Sequence, residues 1–300
     1  MSSVTLAESA KLTNDMLLAG VIENVVSVNP LFEALPFMEI EGNSLQYNRE
    51  NALGDVQYLA VGGTITAKAP ATFTKVNTGL TTIIGDAEVN GLIQATRSNF
   101  TNQKATQVAS KAKSLGRKYQ DGMINGDGTA DSFVGLSALV PAGQKITAVG
   151  AYTLATLDNL IDLIKDKDGA PDWFMMSARS IRTYYSLLRA LGGASMEEAM
   201  TLPSGRKVPT YRSIPMFRND WIPINGGAGT NETTIFCGTF DDGSGTHGIS
   251  GLTAMDAAGV RVTEVGESET KDETITRVKM YASFALFSEL GIAAAVAVTN

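Results

Sequence analysis

The chain has 300 residues, of which 44% are hydrophobic and 18% charged, and its formal net charge at pH 7 is −7. This length can bury a sizeable core and fits one elaborated domain with subdomains. The acidic balance argues against a protein whose whole surface binds nucleic acid, because such binding depends on Lys and Arg that neutralise phosphates. The single cysteine, Cys237, excludes an intrachain disulfide framework and a cysteine-cluster metal site.

The N-terminal residues predict a short helix over 14–26, followed by extended backbone at Pro30 and Pro36. They contain no basic segment followed by a long apolar run, so we expect no signal peptide. The most apolar stretch, 284–298, is interrupted by Ser288 and Glu289 and is shorter than the ~20 residues that span a bilayer. We therefore expect buried strands there and no membrane contact.

Residues 41–86 predict a two-stranded arm. Apolar and polar side chains alternate over 45–49 and again over 71–76, as in strands with two different faces. The residues between them, 51–70, contain too few large apolar side chains to build a core. Because isolated hairpins are marginally stable in water, we expect this arm to dock on another subunit.

A long amphipathic helix is predicted from about residue 101 to residue 124, with Ser98 or Thr101 as its cap. It runs into Gly126-Asp127-Gly128, where glycine tolerates the left-handed conformation of a helix C-terminus. Its apolar face follows steps of three and four residues. The residues of this face are Ala105, Val108, Ala112, Leu115, Tyr119 and Met123.

Basic side chains accompany this helix without an acidic neighbour in the sequence, since no Asp or Glu occurs between Glu88 and Asp121. Lys113 and Arg117 lie on the far side of the helix. A solvated helix face is one interpretation of these cations. The other is a contact with nucleic acid that reads no bases, which six unopposed cations in an acidic protein favour. One margin carries a basic residue at every seventh position: Arg97, Lys104, Lys111 and Lys118.

The middle of the chain predicts a compact α/β unit. Helices are expected after Thr153 and after Ser177, each of which can cap the helix that follows. Residues 173–176 form an apolar run short enough for a buried strand, and 233–240, which include Cys237, resemble it. Further along, 260–265 and 275–280 alternate, and we expect them to pair as antiparallel strands.

No constellation of residues for catalysis or metal binding stands out. His247 is the only histidine, and its Gly/Ser-rich surroundings favour a plain loop histidine over a catalytic or metal-binding one. Asp241 and Asp242 are adjacent and lack the alternating spacing of a calcium loop. The glycines near residue 126 follow a helix instead of opening one, so they form no phosphate cradle. The sequence predicts a protein that is not an enzyme, with no catalytic residue, metal or cofactor.

The order of these parts resembles the major capsid proteins of tailed phages, whose HK97-like fold is shared with encapsulin nanocompartments. The resemblance implies an α+β fold with an N-terminal arm, a projecting hairpin called the E-loop, a long spine helix in a peripheral domain, and an α/β axial domain. It rests on residues 36–48 leading into an extended loop, Ala71-Thr72-Phe73 returning from it, the helix ending in Ile124-Asn125-Gly126-Asp127-Gly128, the following Gly135-Leu136, and the closing strands 276–298.

The resemblance also implies domain boundaries and candidate contact residues. The N-terminal arm would be 1–40, the E-loop 41–85, the peripheral domain 86–145 and 256–288 with the spine helix at about 101–124, and the axial domain 146–255 and 289–300. The residues expected to face packaged DNA are Arg97, Lys104, Lys111 and Lys118. The E-loop residues expected to contact another subunit are Tyr47, Arg49, Tyr58, Lys68, Phe73 and Lys75.

The implied function is that of a subunit that assembles into hexamers and pentamers of an icosahedral shell around phage double-stranded DNA. A portal and a separate scaffolding protein are expected, the latter because only about forty residues precede the E-loop. A decoration protein and covalent cross-links between subunits stay open. Assembly would occur in the host bacterial cytoplasm, and the product would be the virion.

Two other classes of protein are compatible with the sequence. An encapsulin-like compartment would share the fold and enclose a protein cargo, and the basic helix favours a nucleic-acid filling only modestly. An α/β enzyme would need an active site that the sequence does not show.

Overall fold

The computed structural model describes residues 34–97, 103–129, 131–147, 150–191, 199–202, 205, 207–224 and 232–299. The helix expected over 14–26 lies outside the described residues. So do Ser98 and Thr101, the two candidate caps of the long helix, and the side chain of Arg97. The helices are α1 (Gly91–Arg97), α2 (Gln103–Asn125), α3 (Leu136–Leu139), α4 (Leu154–Leu163) and α5 (Ala178–Ala190). The strands are β1 (Phe37–Ile40), β2 (Ser44–Ala52), β3 (Thr72–Gly79), β4 (Thr81–Asn90), β5 (Lys145–Ile146), β6 (Gly150–Ala151), β7 (Trp173–Met176), β8 (Ala199–Thr201), β9 (Lys207–Tyr211), β10 (Ile214–Arg218), β11 (Glu232–Gly238), β12 (Ile249–Ala254), β13 (Val260–Glu267), β14 (Glu273–Leu286) and β15 (Ile292–Thr299).

Within the described residues, five strands form a sheet in the order β1-β12-β14-β13, with β4 also paired to β14. The predicted antiparallel pairing of β13 with β14 is confirmed, and Val262 lies opposite Val278. Strand β4 pairs with β14 over ten residues, from Thr81 opposite Ala282 to Asn90 opposite Glu273. The long strand β14 is therefore hydrogen-bonded along most of its length.

The predicted long helix is confirmed as α2, which packs on β4 and β14 of this five-stranded sheet. Its apolar stripe faces the sheet, and Val108, Ala112 and Tyr119 are fully buried. The Tyr119 hydroxyl donates a hydrogen bond to the Ser283 carbonyl oxygen in β14. Burial of this stripe anchors the helix, as expected for an amphipathic helix with one apolar face.

The glycine that ends α2 is required for a different reason from the one predicted. Gly126 has no left-handed backbone, but a Cβ there would lie 2.2 Å from the Phe133 carbonyl oxygen. The N–H of Gly135 donates to the Gly126 carbonyl oxygen at 2.8 Å. The left-handed residue is Gly128, with φ of 73°. Gly126 therefore allows two backbone segments to meet directly at the end of the helix.

The second sheet contains eight strands of the described chain in the order β5-β15-β11-β7-β10-β9-β8, with β6 also paired to β15. Successive residues of the buried strand β7 point to opposite faces. Trp173 and Met175 join the core that contains the α2 stripe, whereas Phe174 and Met176 join a core covered by α4 and α5. Cys237 in β11 is buried as predicted, and burial raises the pKa of its thiol.

The two predicted caps of this α/β unit are confirmed. Thr153 and Thr156 form a capping box at the start of α4. The Ser177 side chain accepts a hydrogen bond from the Ser180 N–H at the start of α5. These caps satisfy N–H groups that have no partner within the helix.

Three segments for which the sequence suggested no partner join the five-stranded sheet. Strands β1 and β12, expected in the N-terminal arm and the axial domain, both lie in the five-stranded sheet. Residues 81–85, expected in the E-loop, belong to β4 and pair with β14. Alternation in a sequence indicates a strand but does not identify its partner, so the sheet to which each segment belongs is known only from its hydrogen bonds.

We predict that Leu115→Ala lowers the free energy of unfolding by about 2–5 kcal/mol, because it removes buried methyl groups and leaves a cavity between α2 and the sheet. Leu115 is 5% exposed. Denaturant unfolding should show a lower midpoint at an unchanged slope. The control is Ser114→Ala at the neighbouring exposed position, which should shift the free energy by less than about 0.5 kcal/mol. Equal effects of the two variants would mean that the buried face of α2 is assigned wrongly.

Candidate subunit and nucleic-acid interfaces

The predicted two-stranded arm is confirmed. Strands β2 and β3 pair antiparallel from Ser44 opposite Gly79 to Ala52 opposite Thr72, and they form a sheet of their own. We call residues 44–79 the E-loop hairpin. Its outer half is exposed on both faces, so within the described residues no other part of the chain covers it.

The base of the hairpin is attached to the chain between β14 and β15. Arg49 donates through Nε to the Phe287 carbonyl oxygen at 3.0 Å, through a second nitrogen to the Leu286 carbonyl oxygen at 2.6 Å, and pairs with Glu289. The Tyr47 hydroxyl donates to the Leu286 carbonyl oxygen at 2.6 Å. Tyr47 and Arg49 were expected to contact another subunit, but the structure places both against the body of their own chain.

The tip of the hairpin is organised by the side chain of Gln57. Its Oε1 accepts hydrogen bonds from the N–H groups of Thr66 and Ala67 at 2.9 and 2.8 Å. Its Nε2 donates to the Thr64 carbonyl oxygen at 3.1 Å. The sequence does not predict this role, because the residues around a glutamine in a polar segment do not indicate which groups its side chain will bind.

Large apolar side chains at the tip face solvent. Tyr58 is among them, as are Val56 and Val61, which are 89% and 109% exposed. The other E-loop residues expected at a subunit contact, Lys68, Phe73 and Lys75, are also exposed. A cluster of exposed apolar residues on a projecting hairpin is typical of a protein contact surface.

The basic margin of α2 has acidic partners that are distant in the sequence. Lys104 forms a salt bridge with Glu264 of β13, and Lys118 lies 3.7 Å from Asp121. The expectation that all six cations are unopposed is therefore wrong for these two residues. Glu264 lies 160 positions further along the chain, and the pairing of β13 with β14 brings it to the helix.

The remaining cations on α2 are exposed on two sides of the helix. Lys111, Lys113 and Arg117 are exposed and form no ion pair within the part of the chain that the structure describes. At 100° per residue, Lys113 and Arg117 point away from the buried stripe, whereas Lys111 lies at its margin. The sequence pointed to the margin residues as the DNA-facing row, and the far-side residues Lys113 and Arg117 are exposed as well. We call Lys113 and Arg117 on the far side, together with Lys111 at the margin, the basic helix face.

The end of α2 and strand β4 border a cleft of about 520 Å³ that contains Lys118, Asp121 and Asp127. The Thr129 hydroxyl and N–H and the Ser132 hydroxyl donate to Asp127 and lower the pKa of its carboxyl to about 2. These contacts close the turn after the helix. The Asp127 carboxylate is thus bound by hydrogen-bond donors of its own turn.

His247 is not a plain loop histidine. Its Nδ1 lies 2.7 Å from Oδ1 of Asp166, whose side chain is 8% exposed. Within the described residues, no serine, threonine or cysteine side chain is hydrogen-bonded to the His247 ring, and the nearby Thr239 hydroxyl donates to Asp166 instead. The same residues contain no group of three His, Cys, Asp or Glu arranged for a metal ion, and none of their helices is both long and apolar enough to cross a membrane.

Comparison with solved structures shows the fold. The holo-SrpI encapsulin complex from Synechococcus elongatus superposes with a TM-score of 0.71 at 19% identity, over 90% of this chain and 87% of that chain. A capsid of a native GTA particle gives 0.62 at 13% identity, over 90% of each chain. Microbacterium phage Oxtober96 gives 0.61 at 14% identity, also over 90% of each chain. The chain has the HK97-like fold, as the sequence predicted.

No protein-family model matches the sequence, and no curated protein matches it. At the identities found, the solved structures establish the architecture alone. The role of the chain has to be argued from its own surfaces.

We predict that Arg49→Lys loosens the base of the E-loop hairpin, because lysine cannot reproduce the fork of hydrogen bonds to Leu286 and Phe287. The free energy of unfolding should fall by about 1.5–3 kcal/mol, the range for hydrogen bonds to charged groups. Amide hydrogen exchange in β2 and β3 should become faster. Lys75→Arg, on the exposed side of β3, is the control and should leave exchange unchanged. Unchanged exchange in Arg49→Lys would show that the hairpin does not depend on this attachment.

Proposed function

We propose that this chain is the major capsid protein of a tailed phage, which assembles with copies of itself into hexamers and pentamers of an icosahedral shell. The shell encloses double-stranded DNA without sequence specificity. A portal and a separate scaffolding protein take part in assembly in the host bacterial cytoplasm, and the protein resides in the virion. Catalysis has no part in this function.

The observation that supports shell formation is the exposed E-loop hairpin on an HK97-like fold. A two-stranded hairpin is marginal by itself, and its tip exposes Val56, Tyr58 and Val61 to solvent. Contact with a second subunit would bury these side chains and gain about 25 cal/mol for each Å² of apolar surface removed from water. The hairpin is therefore suited to bind a neighbouring subunit.

The observation that supports a nucleic-acid filling is the basic helix face. Lys111, Lys113 and Arg117 are exposed on one helix of a chain whose net charge is −7. Long-range attraction between such cations and phosphates requires no base contacts. If this helix face lines the interior, it would offset part of the repulsion between packaged phosphates.

The second candidate function is an encapsulin-like compartment that encloses a protein cargo. It is favoured by the higher TM-score with the encapsulin than with the phage capsid. The contents of particles isolated from the natural producing cells distinguish the two functions. Double-stranded DNA of defined length supports the capsid, whereas a folded protein and no DNA supports the compartment.

We predict that deleting residues 52–69 produces a folded subunit that assembles poorly, because the deletion removes the exposed tip but none of the two main sheets. Circular dichroism should show a folded protein, and negative-stain microscopy should show few closed particles. A milder variant, Val56→Ser with Tyr58→Ser and Val61→Ser, keeps the Gln57 hydrogen bonds and should reduce assembly in the same direction.

The matched control for the tip variant is Ile84→Ser with Val265→Ser, at two exposed apolar positions outside the hairpin. This control should still assemble. Normal shells from both tip variants would refute the role of the E-loop hairpin in assembly.

We predict that replacing the basic helix face by glutamine at Lys111, Lys113 and Arg117 yields shells that form but retain DNA less stably. Glutamine has a helix propensity close to those of Lys and Arg, so the helix should be unaffected. Heat-triggered DNA release should shift to lower temperature at low salt, and the shift should shrink at high salt because counterions screen the same charges.

Lys104→Gln is the matched control for the loss of a cation on the same helix. Its partner Glu264 belongs to the same chain, so this variant should affect subunit stability more than DNA release. A release profile of the triple variant identical to that of the wild type at low salt would contradict a DNA-facing role for the basic helix face.

A further inference from the structure

The carboxylate of Asp166 collects hydrogen bonds from three separate segments. Oδ1 accepts from the Lys167 N–H at 3.1 Å and lies 2.7 Å from His247 Nδ1. Oδ2 accepts from the Gly248 N–H at 2.8 Å and from the Thr239 hydroxyl at 3.3 Å. The turn after α4, the end of β11 and the loop before β12 are thus tied to one buried side chain.

Two of the chain crossovers between the two sheets meet at this point. The first, residues 239–248, links β11 to β12, and the second, residues 287–291, links β14 to β15. The Thr239 N–H donates to the Gly291 carbonyl oxygen at 2.9 Å, and the Phe287 N–H donates to the Gly248 carbonyl oxygen at 2.9 Å. A Cβ at Gly291 would lie 2.6 Å from Oδ2 of Asp166, so the second crossover passes directly against the carboxylate.

The E-loop hairpin is connected to the same crossovers. Arg49 donates to the Phe287 carbonyl oxygen, the Phe287 N–H donates to Gly248, and the Gly248 N–H donates to Asp166. This is an unbroken hydrogen-bonded path from the hairpin base to Asp166. His247 precedes Gly248 in the chain and contacts the same carboxylate.

We propose that the Asp166–His247 contact is a pH-responsive latch, which holds the two crossovers together and, through Phe287 and Arg49, restrains the E-loop hairpin. With His247 protonated, the charged contact closes the latch. Loss of that proton weakens the contact and allows the hairpin base to move more freely. The contiguous path supplies the physical connection that such coupling requires.

The charged groups around the latch favour protonated His247. Two residues of the turn after α4 act on the positive charge of protonated His247. Asp166 attracts this charge, whereas Lys167, which pairs with Asp172, repels it. Within its own loop, Asp242 attracts it, while Asp241 accepts the backbone N–H of His247. In the second crossover, Glu289 is paired with Arg49.

The pKa directions define the pH window of the latch. The hydrogen bond to Asp166 raises the pKa of His247 above its usual value of 6.5. This stabilisation is fully present below the unfolded pKa and is lost as pH rises through the folded one. Burial would raise the pKa of Asp166, but hydrogen bonds from His247 and the Gly248 N–H lower it overall, so its contribution is lost only as pH falls below its usual range. The latch is therefore closed at mildly acidic pH and opens on the alkaline side.

The test uses trypsin cleavage after Lys68, an exposed residue near the hairpin tip, in wild type and in His247→Gln. Rates are measured at about pH 6 and about pH 8.5 and normalised to a free peptide of residues 60–75. In the wild type, normalised cleavage should be severalfold faster at the higher pH, because loss of the His247 proton removes the charged contact that restrains the hairpin base. His247→Gln should show no such rise.

Further measurements make the outcome decisive. His247→Asn is a second variant in case glutamine is not tolerated, and Asp242→Asn removes a nearby charge but keeps the Asp166 contact, so it should retain the rise. His247 is the only histidine in the chain, so a wild-type profile without a rise overturns the proposal even if both variants fail to fold. An equal rise in wild type and His247→Gln overturns it, and so does a pH effect on unfolding that leaves cleavage after Lys68 unchanged.

Discussion

The rest of the structure depends on the pairing of strand β14. This strand is hydrogen-bonded to β4, β12 and β13, and α2 is held against it by the buried stripe and by the Tyr119 contact to Ser283. The chain then passes through residues 287–291 into β15 of the second sheet. The same passage provides the carbonyl groups that bind Arg49. Strand β14 thereby positions the five-stranded sheet, α2 and the base of the E-loop hairpin.

Stability is distributed unevenly along this arrangement. Residues of β7, β11 and β15 are almost completely buried, whereas the E-loop hairpin has two strands and an exposed tip. Strands that are buried on both faces gain apolar burial on both sides. A hairpin without a third strand does not, so its order within the chain depends on Arg49, Tyr47 and Gln57. Such a division suits a subunit whose body is folded before assembly.

The charged side chains also fall into two groups. Some form ion pairs within the chain, and others are exposed to solvent. The Asp86 carboxylate is bound by the guanidinium of Arg277 on the adjacent strand, which lowers its pKa, and Lys104 is bound by Glu264. These pairs fasten α2 and the strands to each other. Lys113 and Arg117 are directed elsewhere, and their charge is available to an anionic partner, whereas the charge of Lys111 also attracts the Asp86 carboxylate. Net charge alone conceals this difference, because it adds internal pairs and exposed cations together.

Features that repeat over a few residues were predictable from the sequence. The helical spacing of Val108, Ala112 and Leu115 located the buried face of α2, and alternation located the E-loop hairpin and the β13–β14 pair. The order of these parts was sufficient to predict the HK97-like fold. Each of these signals is local, because the periods of helices and strands are properties of neighbouring residues.

Contacts between distant residues were decided only by the tertiary structure. The placement of β1 and β12 in one sheet, the pairing of Lys104 with Glu264, and the attachment of Arg49 to Leu286 and Phe287 have no local signature. The same is true of His247, whose partner Asp166 lies 81 positions away. The sequence by itself determined which segments are helices and strands and which faces are apolar. Which of these segments meet depends on burial and hydrogen bonding across the whole chain, and that is why the candidate surfaces became clear only in the folded structure.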